Sequence, residues 1–208
     1  MGTKHGKKQS SKPILSILAL GNAKTGKTAL VQCYEYMVNT NKEYDGNNNQ
    51  PLDFDIKTIT FSKEVAILDH TVKGEHNDDI NLKVKIWDSP GNDRFYNITI
   101  SAIKNIQGII LTYDITSRIG FTELKNWINK IQSYQDISEF PIIIVGCKVD
   151  LEDKREVSTE EGKEFAEEYK FPFFETSALT GKGVKEAFYT LIQTVYENNK
   201  NKKEISII

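Results

Sequence analysis

Three segments of the chain are almost continuously apolar: Ile14–Leu20, Gly108–Tyr113 and Pro141–Cys147. Such runs read as strands buried on both faces, as in a parallel sheet. A fourth, Leu82–Trp87, alternates apolar and charged residues and reads as a strand buried on one face. Helical periodicity fills the gaps. Thr28–Val38 places Leu30, Cys33 and Met37 on one stripe, and Phe121–Tyr134 does the same with Leu124, Trp127, Ile128 and Ile131. Glu160–Tyr169 follows a capping box, Ser158-x-x-Glu161, and Val184–Asn198 carries Ala187, Phe188, Leu191, Ile192 and Val195. A further apolar strand precedes Glu175. Alternating strands and helices predict an α/β sheet with helices on both faces. Ligands of such sheets sit at the carboxyl ends of the strands.

Three polar stretches break this rhythm. Residues 1–12 are basic, 39–53 are rich in turn formers, and 68–79 separate two strand-like runs as the expected tip of a long hairpin. The expected organisation is a basic N-terminal segment (1–12), one folded domain (13–199) and a short basic tail (200–208).

Composition narrows the function classes. At 208 residues, 38% hydrophobic and 27% charged, the chain suits one water-soluble domain. No apolar run approaches the ~20 residues that cross a bilayer, and residues 1–30 lack a secretory pattern. The two cysteines, Cys33 and Cys147, lie in apolar segments, which excludes a disulfide scaffold and a Cys-rich zinc site. A cytoplasmic location is expected. The net charge of −2 argues against a nucleic-acid polymer as partner.

Gly21-Asn-Ala23-Lys24-Thr25-Gly26-Lys27-Thr28 follows a buried strand and opens a helix, matching G-x-x-x-x-G-K-[ST] in its required setting. Glycines let the backbone N–H groups converge on an anion, and the helix N-terminus adds partial positive charge. Lys27 reaches the outer phosphates of a nucleoside triphosphate, and Thr28 offers its hydroxyl to Mg²⁺. Ala29 continues the loop into the helix.

Asp88-Ser-Pro-Gly91 ends strand Leu82–Trp87, about 60 residues after the phosphate loop. Asp88 is placed to hold the metal or its water, and the Gly91 N–H to meet a terminal phosphate. Strand Pro141–Cys147 runs into Lys148-Val-Asp150. A carboxylate there accepts from both the N1–H and the exocyclic amine of guanine, a donor pair that adenine lacks. Ser177-Ala178, after Glu175-Thr176, offers backbone N–H to guanine O6.

On these motifs the chain resembles the Ras superfamily of small GTPases, the Rab branch in particular, over residues 13–197. Leu52–Ile59, Ile86–Phe95, Tyr113–Thr116 and Phe121–Trp127 are the Rab-like stretches. The resemblance implies the small G-protein form of the P-loop NTPase fold: a mixed, mostly parallel six-stranded sheet flanked by helices. It also implies GTP/GDP and Mg²⁺ binding, switch segments at 39–53 and 89–105, and effector, exchange-factor and GAP-type partners. A monomeric switch in membrane trafficking or signalling is the implied role.

Several positions depart from the family pattern. Asn49 stands where the family has the switch threonine that reaches Mg²⁺ and the terminal phosphate. Asn92 stands where a glutamine orients attacking water, and its shorter side chain predicts slow hydrolysis. Cys147 replaces the asparagine of N-K-x-D, and a thiol is a poor hydrogen-bond partner. Leu179 replaces a lysine but keeps its N–H for the base. Ala23 and Lys24 replace smaller loop residues. The 33-residue separation of Phe54 and Trp87 predicts an extended hairpin between the second and third strands, tipped near Gly74–Asp79, with a docking surface beside the switches as its functional reading. No cysteine occurs in 200–208, so prenylation is not expected there, while the terminal lysines allow weak contact with anionic lipid. Together Asn49, Asn92 and Cys147 leave a pseudo-GTPase interaction module open as the alternative. A P-loop kinase or ATPase fits Asp150 and Ser177 less well.

Overall fold

β1 (Ile14–Gly21) lies at the centre of the sheet, and its residues from Ile17 to Leu20 are fully buried because helices cover both faces. The structure, a computed structural model, describes residues 12–42, 65–89, 91, 103–138 and 140–205. The remaining strands are β2 (Val65–Lys73), β3 (Asp79–Asp88), β4 (Gly108–Asp114), β5 (Ile142–Cys147) and β6 (Phe173–Thr176). Their order is β2-β3-β1-β4-β5-β6. Only the β2–β3 pair is antiparallel, so the sheet is mixed and mostly parallel, as the sequence predicts.

The helices are α1 (Lys27–Thr40), α2 (Arg118–Thr122), α3 (Leu124–Gln132), α4 (Thr159–Glu168) and α5 (Val184–Ile205), with a 3₁₀ turn at Val149–Lys154. α1 and α5 pack Leu30, Tyr34, Phe188 and Leu191 against one face of the sheet. α3 and α4 cover the other, with Trp127, Ile128, Ile131 and Ala166 in that core. The capping box at Ser158 forms: its hydroxyl accepts from the Glu161 N–H, and the Glu161 carboxylate accepts from the Ser158 N–H.

Two local features differ from the pattern. The single helix predicted over Phe121–Tyr134 is two helices. Ser117 starts α2 earlier by accepting the Gly120 N–H, and the Glu123 N–H closes it on Ile119 O and Phe121 O. Of the polar stretch 68–79 only 74–78 is turn, at the tip predicted near Gly74–Asp79, where Gly74 and Asp78 close it by backbone hydrogen bonds. Residues 68–73 are strand, with Leu68 and Val72 buried on the inner face and His70 between them. The tip of this hairpin lies at the end of β3 opposite Asp88, not beside the phosphate loop, and it is tied to α5. The Gln193 amide bonds both the N–H and the carbonyl of Lys73, and Lys200 pairs with Glu75.

Candidate functional site

Parallel β1, β3, β4 and β5 end on the same side of the sheet, and the predicted chemistry collects there. β1 ends at Gly21, where φ is +140° and an added Cβ would fall 2.3 Å from Thr112 O on β4. Only glycine lets the chain leave the sheet here. The loop then runs through Asn22 to Gly26, with Ala23 and Lys24 exposed, and turns into α1. The α1 N-terminus has no side-chain cap and no acidic residue in its first turn. Its first N–H groups are therefore available to an anion. The Thr25 hydroxyl points inward, within 2.9 Å of the Thr112 hydroxyl and 3.1 Å of Asn22 O, so Thr25 offers a ligand its backbone.

Lys27 is 5% exposed. Its Nζ donates to Gly21 O (3.0 Å) and Asn22 O (2.6 Å), which holds the ammonium against the inside of the loop. Burial pulls its pKa down to about 8, opposed by the nearby Asp88 and Cys147. Thr28 Oγ1 donates to Asp88 Oδ2 at 2.5 Å, so the hydroxyl and carboxylate predicted to share a metal are adjacent. Hard oxygen donors of this kind, few in number, suit Mg²⁺, which keeps waters and substrate phosphates in its shell. Gly91 approaches the same loop: a Cβ on it would lie 2.3 Å from the Ala23 nitrogen. Any side chain there would fill the cradle between the loop and the strand end.

The base motifs form a second part of the site. Cys147 ends β5 between Asp114 of β4 and Thr176 of β6. A cavity of about 230 Å³ lies between Gly26 and Ala29 on one side and Cys147, Lys148, Asp150 and Leu179 on the other. Ala178 also lines it. Ser177 Oγ donates to Asp150 Oδ1 at 2.5 Å, which fixes the carboxylate. The Cys147 thiol is held by Thr176 Oγ1 (3.8 Å) and by Val145 O (3.9 Å), and burial pushes its pKa up to about 12, so it stays neutral.

The structure thus gathers Gly21, Ala23–Ala29, Asp88, Gly91, Cys147, Lys148, Asp150 and Ser177–Leu179 along one edge. Asn49, Asn92 and most of segments 39–53 and 89–105 lie outside the described residues. Three contacts escape sequence reasoning. Lys148 Nζ pairs with Asp114 Oδ2 at 2.6 Å, Arg155 pairs with Glu175 at 2.6 Å, and Trp127 Nε1 donates to Asn22 Oδ1 at 2.7 Å. Tyr113–Thr116 marks Asp114 as part of a recognisable motif, yet nothing in that run says which residue it holds. A larger cavity, about 790 Å³, opens at the opposite end of the strands among Phe140, Phe171 and Leu191, and contains none of the predicted residues.

Comparison with known proteins identifies the family. The Ras family profile matches residues 16–197. Rab-27B of Bos taurus is 30% identical over 182 residues, covering 88% of this chain and 79% of that protein. The GTP-binding protein YPT1 of Saccharomyces cerevisiae is 34% identical over 185 residues, covering 89% and 80%. Human Rab-8B is 34% identical over 182 residues, covering 88% and 78%. With the profile matching residues 16–197 of 208, the chain belongs to the Ras family.

Proposed function

We propose that the chain is a guanine-nucleotide switch that binds GTP and GDP with Mg²⁺ and hydrolyses GTP slowly. The observation that carries this reading is the convergence of Lys27, the Thr28–Asp88 pair, Gly91 and the Ser177-held Asp150 on one strand edge. Lys27 and the α1 N-terminus take the phosphate charge, and the Gly91 backbone meets the terminal phosphate. Thr28 and Asp88 hold Mg²⁺, which supplies charge neutralisation at the phosphates. Asp150 reads guanine, with backbone N–H from Ala178 and Leu179 at its O6 side. Asn49 is the further candidate for the metal, and Asn92 for positioning water. Both assignments rest on sequence spacing.

Likeness to Rab proteins supports placing the switch in membrane trafficking, acting through effectors, exchange factors and GAP-type proteins. Among the described residues no helix is long and apolar enough to cross a membrane. Basic residues at both ends of the chain favour peripheral contact with anionic lipid at the cytoplasmic face.

The test is the nucleotide released on denaturing the purified, undialysed protein. Stoichiometric GDP supports binding, and single-turnover hydrolysis of loaded GTP then reads turnover. Stoichiometric GTP supports binding without turnover, and Asn92→Gln then tests whether Asn92 is the cause. An empty protein that also fails to take up added GDP overturns the reading.

A further inference from the structure

We propose that Trp127 is a positioning residue of the phosphate loop, and that its hydrogen bond to Asn22 sets how slowly bound nucleotide leaves. This rests on the nucleotide reading above. It goes beyond that reading by assigning a role to a side chain on the outer helical layer, 105 residues away in sequence.

The bond has one possible sense. An indole N–H only donates, so the Asn22 atom 2.7 Å away is its amide oxygen. Trp127 is 5% exposed, which shields the bond from competing water. The helix that carries it is immobilised by its own neighbours: Leu124, Ile128 and Ile131 on α3 are fully buried in the core beneath the sheet. Lys130 covers the indole, its Nζ 4.7 Å from the ring centroid. The donor is therefore presented to the loop from a rigid element.

Asn22 is where the loop's internal contacts meet. Its carbonyl accepts from Lys27 Nζ at 2.6 Å and from Thr25 Oγ1 at 3.1 Å. Its carbonyl carbon would lie 2.4 Å from a Cβ on Gly91, so the two backbones run in contact. Rotating the Asn22 peptide would move the acceptor of Lys27, the acceptor of Thr25 and the wall facing Gly91 together. The side chain of the same residue is fixed by Trp127. The indole thus locks one peptide orientation, and that orientation sets where the Lys27 ammonium and the loop N–H groups stand before a phosphate arrives. Preorganised donors hold charge without rearrangement, and a lost hydrogen bond at such a point costs roughly a five- to tenfold change in rate or affinity.

The test measures release of fluorescently labelled GDP by stopped-flow chase, beside the ¹⁵N-edited spectrum of the two tryptophan indoles. The wild-type chain must bind GDP, and failure to bind overturns the nucleotide reading and this proposal with it. Given binding, Trp127→Phe and Asn22→Ala are each expected to speed release roughly five- to tenfold, and the double variant no more than the faster single one. Asn22→Ala leaves the core intact, so it keeps the proposal testable should Trp127→Phe unfold. In Asn22→Ala the Trp127 indole resonance is expected to shift and to exchange faster with solvent, whatever nucleotide is bound. Asn22→Asp, which keeps an oxygen acceptor, is expected to release GDP more slowly than Asn22→Ala. Release in Asn22→Ala equal to wild type, or independent additive effects of the two substitutions, overturns the positioning role. A fall in melting temperature in Trp127→Phe without faster release does the same.

Discussion

Lys148 Nζ lies 2.6 Å from Asp114 Oδ2 and joins the ends of two neighbouring strands beside the base cavity, which Lys148 itself lines. Lys148 has a left-handed backbone (φ +69°), which turns its stem back over β4. The other Asp114 oxygen accepts from both the N–H and the hydroxyl of Thr116. Asp114 is thus held from one side and holds Lys148 from the other. Asp114 is 12% exposed and Lys148 34%, so the pair is only partly screened by water. Asp114→Asn is expected to destabilise the fold by about 1–2 kcal/mol and to speed release of labelled GDP roughly tenfold. A lower melting temperature with unchanged release would restrict the pair to a structural role.

How much of this was legible in the sequence depended on how local each signal is. β1, β4 and β5 announce themselves because both faces are buried along most of their length and nearly every position is apolar. The phosphate loop and the Lys148–Asp150 run are contiguous, so their spacing carries their geometry. The outer part of β2, residues 68–73, reads as polar loop because His70 occupies an inward position between Leu68 and Val72, and Asp69, Thr71 and Lys73 face water. A strand with one solvated face and a polar residue on the other resembles a loop. The break between α2 and α3 leaves the helical period intact, and only the closing hydrogen bonds at Glu123 reveal it. Lys148–Asp114 and Trp127–Asn22 join residues 34 and 105 apart, and no local pattern encodes such pairs.

The long hairpin is anchored on α5 at its far end. The Lys73 N–H donates to Gln193 Oε1 and Gln193 Nε2 donates to the Lys73 carbonyl, and the two bonds hold the strand where it would otherwise fray. Gln193→Ala is expected to leave β3 in place and loosen the tip. Amide exchange at Lys73 and through residues 74–78 should quicken about fivefold for the loss of roughly 1 kcal/mol, with α1 unaffected. Uniform acceleration across the whole sheet would mean that Gln193 supports the domain rather than the tip.

His70 gives the fold an acid sensitivity of defined sign. Its Nδ1 faces the Tyr34 hydroxyl at 2.9 Å, its ring tilts against Tyr189, and Nε2 has no hydrogen-bond partner among the described residues. Burial, and then the charge of Lys185, pull its pKa down to about 4 from 6.5. The unfolded chain takes up a proton near pH 6.5, which the folded chain refuses until about pH 4. Stability therefore falls as pH drops through that window, by on the order of 2 kcal/mol once partial exposure of the ring is discounted. His70→Phe is expected to remove that part of the slope while costing about 1 kcal/mol at pH 7 for the lost partner of Tyr34. Urea unfolding of both proteins at pH 7 and pH 4.5 checks it, and equal losses on acidification would exclude His70 as the source.

Base selection should rest on Asp150 more than on the thiol beside it. One Asp150 oxygen accepts from Ser177 Oγ at 2.5 Å, which fixes the plane of the carboxylate. The Thr180 N–H in turn donates to Ser177 Oγ at 3.2 Å, so the hydroxyl is itself oriented by the loop that carries it. Cys147 is neutral and occupied by Thr176 and Val145, and supplies shape to the cavity rather than a strong hydrogen bond. Two charge-assisted bonds from guanine to one carboxylate are each worth about 1.5–3 kcal/mol. Asp150→Ala is then expected to erode the preference for GTP over ATP by at least about 100-fold. Ser177→Ala leaves the charge but frees its plane, and a smaller loss, about tenfold, follows. Displacement of labelled GDP by unlabelled GTP and ATP measures both ratios. If Asp150→Ala kept its preference for GTP, the base would have to be read by the backbone of Ala178 and Leu179 alone. Those N–H groups donate to guanine O6, where adenine carries an amine, so that result would remove Asp150 from base selection.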